Sequence, residues 1–100
     1  MPQDPPSGWT LKDNALTRTI KRADFVEALA FVLEIGRVAE AANHHPDIDI
    51  RYNTVRLSLC THSAGGTVTP KDFALANEIN DINEDVIRLS KDQLRHRFVI

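Results

Sequence analysis

Three histidines in this chain stand beside the predicted ends of helices and strands. His44 and His45 directly follow the first predicted helix, and His62 follows the last predicted strand. Histidine changes charge nearest neutral pH, so a cluster of imidazoles can hold one ring as a proton donor and another as an acceptor. This residue type in this arrangement is suited to proton-transfer chemistry.

Two carboxylates are placed where they could support the imidazoles. Glu40 lies four residues before His44, one helical turn away, and could orient its ring. Asp72 falls in the first turn of the second predicted helix and could do the same if that helix begins near the histidines. Simpler interpretations stay open for single residues: a histidine at a helix end is favoured by the helix dipole, Glu40 by itself is a surface charge, and Asp72 is a helix cap.

Metal binding is a second interpretation of the same cluster. The candidate zinc or iron ligands are His44, His45, Asp47 and His62. Adjacent histidines usually point apart, and the chain lacks the H-x-x-x-H or H-x-H spacing that puts two rings on one side. We therefore expect no metal. Three further residues have simple interpretations: Gly65-Gly66 permits a turn, and Cys60 is a small buried hydrophobe.

Composition narrows the class of protein. The chain has 100 residues, with Lys+Arg 12 against Asp+Glu 14 and a net charge of -2, so we expect one modest core and no general basic field for nucleic acid. The single Cys60 excludes an intramolecular disulfide, which fits a reducing compartment. The start lacks a signal-peptide pattern, and no stretch approaches the ~20 apolar residues of a membrane span. We expect a soluble cytoplasmic protein without a nucleic-acid or membrane partner.

The first half of the chain supplies a hairpin and a long helix. Residues 1–8 hold three prolines and are predicted to form a flexible arm. Residues 9–20 resemble a short hairpin that turns at Asp13-Asn14. Asp24 is placed to cap a helix that runs to Ala42 and stops near Asn43, with Glu34 among the outward-facing residues. The apolar stripe predicted for this helix is Phe25, Leu29, Val32, Ile35 or Gly36, and Ala39.

The second half is predicted to contain two strands and a second helix. Alternating apolar residues predict strands over 48–52 and 55–59, with a turn or bulge at Asn53-Thr54. Thr69-Pro70 begins a helix whose apolar stripe extends to Val86 and whose end falls between Glu84 and Leu89. Residues 90–100 fit a short helix, a strand or a docking tail.

The element order β-β-α-β-β-α predicts an α+β two-layer sandwich, with helices on one face of a four-stranded, mainly antiparallel sheet. The last two strands return His62 toward Pro46, so the three imidazoles are expected to meet at one edge of the sheet. An uncovered sheet face or edge in so small a chain predicts a homo-oligomer.

Over residues 8–82 the chain resembles the pterin-4a-carbinolamine dehydratases. The ordered set of matching blocks is more specific than any one of them. These blocks are Gly8-Trp9, Asp24-Phe25, Glu40-Ala41-Ala42-Asn43-His44-His45-Pro46-Asp47, Tyr52-Asn53-x-Val55, Thr61-His62 and Thr69-x-x-Asp72-x-Ala74-Leu75-Ala76.

The resemblance implies that residues 9–100 form one pterin-dehydratase-like domain. Its implied activity is dehydration of 4a-hydroxytetrahydropterin to quinonoid dihydropterin, which recycles the cofactor of aromatic amino-acid hydroxylases, with no metal or cofactor. It implies His44, His45 and His62 as the active-site histidines, with His44 and His62 as the expected acid/base pair and His45 binding the pterin. It implies a homodimer or homotetramer. The alternative is a non-enzymatic interaction or regulatory module on the same fold. The implied supporting residues are Glu40, Pro46, Asp47 and Asp72.

Overall fold

A four-stranded antiparallel sheet carries two helices on one face, and a third helix packs on the first of these. The structure, a computed structural model, describes residues 4–98. Its elements are β1 (Thr10–Lys12), β2 (Ala15–Lys21), α1 (Phe25–Ala42), β3 (Asp47–Arg51), β4 (Thr54–Leu59), a short 3₁₀ turn (His62–Ala64), α2 (Pro70–Asn80) and α3 (Glu84–Phe98). The strand order is β1-β2-β4-β3. The predicted α+β sandwich and the order of its first six elements are confirmed.

The β1–β2 hairpin forms as predicted. Asp13 and Asn14 both adopt left-handed φ angles of 52° and 62°, the geometry of a two-residue turn that suits twisted strands. Beside it, the buried Trp9 donates its indole N–H to Oδ1 of Asn80 at 2.9 Å. The side-chain NH₂ of Asn80 in turn donates to the backbone carbonyl of Ser7. Part of the predicted arm therefore contacts α2, and residues 1–3 lie outside the described residues. Flexibility of the arm stays a prediction.

Helix α1 begins and ends where the sequence predicts, but its buried face is rotated. The Asp24 side chain accepts from the Glu27 amide at 2.8 Å, and Asn43 ends the helix in the left-handed conformation. Phe25 is exposed, contrary to the predicted stripe, and Glu34 is buried, contrary to its predicted outward position. Both differences arise because α1 packs against the sheet on one side and against α3 on another. The buried face consists of Ala28, Phe31, Ile35 and Ala39 together with Val26, Ala30 and Glu34.

The β3–β4 turn comprises Tyr52 and Asn53, one residue earlier than predicted. Tyr52 has a φ of 54° and is exposed instead of forming part of the strand. Asn53 is tied to the end of β2, because its carbonyl accepts from the Arg22 amide at 2.8 Å and its side chain donates to the Arg22 carbonyl at 3.1 Å. These two bonds locate the turn at Tyr52 and Asn53.

Helix α2 ends at Asn80, short of the predicted end, and a separate helix follows. The Asn83 side chain accepts from the Asp85 amide at 2.7 Å, which caps a new helix start. This break changes the helical phase, so Ile87 is buried while Val86 is exposed, the reverse of the predicted stripe. Of the three possibilities for the final stretch, a helix is observed up to Phe98, and residues 99–100 lie outside the described residues. No helix between residues 4 and 98 is long and apolar enough to cross a membrane.

Ion pairs fasten α3 to α1. Arg22 meets Glu84 at 2.7 Å, and Lys91 meets Glu27 at 3.1 Å. The Glu27 backbone amide, together with Lys91 and Arg95, holds the pKa of Asp24 below its ordinary value. Burial opposes ionisation of Glu27, but Lys91, the Ala23 amide and Arg22 outweigh it and lower its pKa. The Arg22 guanidinium likewise lowers the pKa of Glu84.

Candidate active site

The end of α1 sends its two following histidines in different directions. The left-handed Asn43 lets the His44 amide donate to the Ala39 carbonyl and the Asn43 amide to the Glu40 carbonyl, both at 3.1 Å. This paired arrangement closes the helix and turns the chain sharply. The His44 side chain is thereby half-buried against α2, whereas His45 stays 57% exposed.

His44 is held by a buried carboxylate. Its Nε2 lies 2.5 Å from Oδ1 of Asp72, which is fully buried in the first turn of α2. The other carboxylate oxygen accepts from the Thr61 hydroxyl and from the Thr69 amide, each at 2.8 Å. An ionised carboxylate only accepts, so an ionised Asp72 requires a proton on Nε2 of His44, and in a neutral imidazole Nδ1 is then the acceptor. For a neutral ring, this contact selects the Nε2–H tautomer of His44 and leaves Nδ1 as the proton acceptor.

Glu40 contacts His45. The sequence predicts a contact with His44 instead, and that prediction is wrong. The Glu40 carboxylate lies 3.4 Å from Nε2 of His45, and both side chains are largely exposed. The sharp turn at Asn43 is the reason, since it carries His44 away from the preceding helical turn toward Asp72. An exposed pair of this kind contributes little to stability, so Glu40 acts at most on the orientation of His45.

The three histidines line one cavity of about 230 Å³. Antiparallel pairing of β3 with β4 returns the chain after Leu59 to the level of Pro46, as the hairpin geometry predicts. His62 follows at the start of the 3₁₀ turn. The complete lining consists of Asn43, His44, His45, Cys60, Thr61, His62, Ser63 and Lys71. The predicted convergence of the imidazoles is thus present in the structure.

Asp47 is not brought to this cavity. It pairs with Ser58 in the sheet and lines a different cavity of about 270 Å³ on the uncovered sheet face, beside Arg56. Pro46 is half-buried in the short link between His45 and β3. A larger cavity, about 440 Å³, lies between the β1–β2 turn and Phe73 and contains no histidine. The histidine cavity stands out by its chemistry and not by its size.

Comparison with known proteins agrees with this geometry. The family model for pterin 4 alpha carbinolamine dehydratase matches residues 2–82. The chain belongs to this family. A Chloroflexus aurantiacus protein, provisionally named as a pterin-4-alpha-carbinolamine dehydratase, is 58% identical over 74 residues, covering 74% of this chain and 78% of the relative. A Trichormus variabilis protein with the same provisional name is 53% identical over 77 residues, covering 77% of this chain and 82% of the relative.

Solved structures share the fold. A transcriptional coactivator/pterin dehydratase from Brucella melitensis superposes with a TM-score of 0.69 at 38% identity, over 74% of this chain and 80% of that one. A pterin dehydratase-like protein described as a RuBisCO assembly factor of the alpha-carboxysome superposes with a TM-score of 0.57 at 17% identity, over 71% and 81% of the two chains. The second likeness shows the fold alone. Helix α3 lies beyond the segment that the pterin dehydratase family model matches.

Several residues of this histidine site escape sequence reasoning. Thr61 has no predicted role beyond its place in the Thr61-His62 block, yet its hydroxyl donates to Asp72. Thr69 is the helix cap that the sequence predicts, and its amide donates to the same carboxylate. Lys71 resembles a solvated charge in the first turn of α2, yet it lines the cavity. Cys60 also lines the cavity and is only half-buried, so its interpretation as a core hydrophobe is wrong. The sequence offers one signal for these positions, which is their closeness to the motif residues His62 and Asp72.

The cavity lining contains three imidazoles and one ammonium group but no carboxylate, since Asp72 lies beneath it. Within residues 4–98 no three His, Cys, Asp or Glu side chains are grouped as the ligands of a metal ion would be. His44 already uses Nε2 to bind Asp72, and His45 lies beside Glu40. The lining therefore offers imidazoles that can exchange protons with a ligand and one ammonium group that disfavours a positively charged ligand.

Proposed function

We propose that the protein dehydrates a 4a-hydroxytetrahydropterin to quinonoid dihydropterin and water, with the histidine cavity as its active site and without a metal or cofactor. The observation that carries the proposal is the contact between His44 Nε2 and the buried Asp72 carboxylate, in a cavity that His44 shares with His45 and His62. Membership of the pterin dehydratase family supports the same reaction.

The proposed reaction needs one proton donor and one proton acceptor. The bond between C4a and the hydroxyl oxygen breaks as a proton reaches that oxygen, and the N5–C4a double bond forms as N5 loses its proton. Free Nδ1 makes His44 the better base, because Asp72 stabilises the imidazolium that forms when it takes the N5 proton. His62 is then the acid that protonates the leaving hydroxyl, and His45 binds and polarises the pterin. His44 gains one proton and His62 gives one up, so the total number of protons on the enzyme is unchanged, and a proton returns from His44 to His62 before the next turnover.

The contacts of the supporting residues indicate their roles in the proposed reaction. Asp72 positions His44, and Glu40 orients His45 at the rim. Pro46 shapes the link between the histidines and β3. Asp47, which lies on the uncovered sheet face, is left out of the proposed catalytic machinery.

We further propose a cytoplasmic homodimer or homotetramer that serves an aromatic amino-acid hydroxylase. Among residues 4–98, no strand pairs with the outer side of edge strand β3, and Ile48 on that strand is partly exposed. An edge strand of this kind can pair with another chain. Light scattering of the purified protein tests the assembly, and a purely monomeric species contradicts it.

The activity is tested by stopped-flow absorbance of freshly generated 4a-hydroxytetrahydropterin. Wild type is expected to accelerate its decay, whereas His44→Ala and His62→Ala are each expected to lose on the order of 10²–10⁴-fold in rate. His96→Ala, which removes an exposed histidine on α3, is the matched control and keeps full activity. A folded wild-type protein that gives no acceleration contradicts the proposal and favours the interaction-module alternative.

A further inference from the structure

We infer that Thr61 is the positioning residue that sets the placement of His44 relative to His62. The catalytic consequence of this inference rests on the proposed dehydratase function, whereas its structural consequence does not. Thr61 is 5% exposed and lies between the end of β4 and the turn that begins with His62.

The Thr61 side chain controls His44 through Asp72. A threonine hydroxyl has one proton, and that proton is donated to Oδ2 of Asp72 at 2.8 Å. The Thr69 hydroxyl, 2.6 Å from the Thr61 hydroxyl, must therefore donate to it. The result is a directed chain of hydrogen bonds from Thr69 through Thr61 to Asp72, which ends at His44 Nε2.

The Thr61 backbone controls the turn that carries His62. Its carbonyl accepts from the amides of Ala64 and Gly66, both at 3.1 Å, and its amide donates to the Thr67 carbonyl at 2.9 Å. These three bonds close the loop around His62. One residue therefore ties the His62 loop, through its backbone, to the His44–Asp72 pair, through its side chain.

This double attachment matters because acid and base must stand on either side of one substrate carbon. Errors of about 1 Å in such a geometry can cost on the order of 10²-fold in rate. Removing the hydroxyl leaves Asp72 Oδ2 with only the Thr69 amide and leaves the Thr69 hydroxyl without its acceptor. The carboxylate then gains freedom to rotate away from His44 Nε2, and in the rotated arrangement His44 loses the constraint on its tautomer.

The decisive variant is Thr61→Val, which keeps the shape of the side chain and removes only the hydroxyl. We expect kcat to fall by about 10- to 100-fold with KM changed by less than about 3-fold, since the substrate still meets the same lining. Thr61→Ser restores the hydroxyl and is expected to keep kcat within about 3-fold of wild type. Thr19→Val makes the same chemical change on the uncovered sheet face and is the matched control.

A second measurement reads His44 directly and needs no turnover. Nitrogen-15 NMR of the imidazoles is expected to find His44 protonated at Nε2 in wild type and in Thr61→Ser, and a mixture of tautomers in Thr61→Val. If wild type proves inactive, the dehydratase proposal fails and this tautomer comparison alone decides the role of Thr61.

A purely structural role for Thr61 predicts a different pattern. Thr61→Val would then be less stable to urea, but its kcat and its His44 tautomer would match those of wild type, and that result overturns the inference. If Thr61→Val does not fold, Thr61→Ala relieves any crowding and is judged by the same two measurements. Loss of the tautomer preference in folded Thr61→Ala supports the inference, and its retention overturns it.

Discussion

Replacing Asp72 with asparagine is expected to reverse the tautomer of His44 and stop catalysis while the fold is kept. One carboxylate oxygen of Asp72 accepts from two donors, the Thr61 hydroxyl and the Thr69 amide, and the other meets His44 Nε2. An amide has only one oxygen, and that oxygen is needed where the two donors are. The NH₂ group of the asparagine must then face Nε2, which moves the His44 proton to Nδ1.

The expected loss of rate follows from the loss of His44 as a base, and the expected loss of stability follows from the loss of the charge at position 72. With Nδ1 protonated, neutral His44 cannot act as a base on the substrate, and a positioned acid or base contributes about 10²–10⁴-fold to a rate. That factor corresponds to about 2.7–5.4 kcal/mol of barrier. The stability loss is smaller, roughly 1–2 kcal/mol, because the amide oxygen keeps both donors and loses only the extra strength of bonds to a charged group.

Three measurements on Asp72→Asn check the reasoning. Stopped-flow kinetics gives kcat, nitrogen-15 NMR gives the His44 tautomer, and urea unfolding gives stability. Asp92→Asn, on the exposed side of α3, is the matched control and is expected to behave as wild type. A folded Asp72→Asn variant that has moved its proton to Nδ1 yet keeps kcat within about 3-fold of wild type would refute His44 as the base.

Two further predictions concern the attachment of α3 to α1. Ser90→Ala removes the hydroxyl that donates to the buried Glu34 carboxylate at 2.6 Å and is expected to cost about 1–3 kcal/mol in urea unfolding, whereas Ser58→Ala on the open sheet face serves as control. A cost below about 0.5 kcal/mol would show that Glu34 finds another partner. The pKa values of Asp24, Glu27 and Glu84 are lowered, so these carboxylates bind protons less readily in the folded state than in the unfolded state. Their contribution to the free energy of unfolding is therefore complete above the ordinary pKa values of 3.8 and 4.5, and it is lost as the pH falls through their pKa values in the folded state. Unfolding between pH 7 and pH 3 measures this, and a Lys91→Met variant whose acid sensitivity equals that of wild type would contradict the assignment.

Local interactions could be predicted well from the sequence. The start of α1 depends on Asp24 and the amide three residues later, and its end depends on the left-handed tolerance of Asn43. The β1–β2 turn depends on the adjacent pair Asp13 and Asn14. Interactions confined to a few neighbouring residues leave a pattern in the sequence, which is why these boundaries were predicted correctly.

Burial and partners were predicted less well where two elements meet. The sequence placed Glu34 on the outside, because an isolated glutamate on a helix is favoured in water, but α3 covers it and Ser90 binds it from 56 positions away. The predicted position of the Tyr52–Asn53 turn is wrong by one residue, since Asn53 is tied to Arg22, the residue that follows β2. Neither contact leaves a local pattern.

By itself the sequence determined the order of the first six elements, the small single core and the convergence of His44, His45 and His62, because strand alternation and antiparallel return follow from local periodicity and connection length. Only the tertiary structure decided which carboxylate serves which imidazole. His44 and Asp72 are 28 positions apart and meet because the first turn of α2 packs under the end of α1. The same packing buries Thr61 between the two histidine-bearing segments. Such contacts depend on how whole elements pack, and that arrangement is set by the sum of many core contacts rather than by any one stretch of the chain.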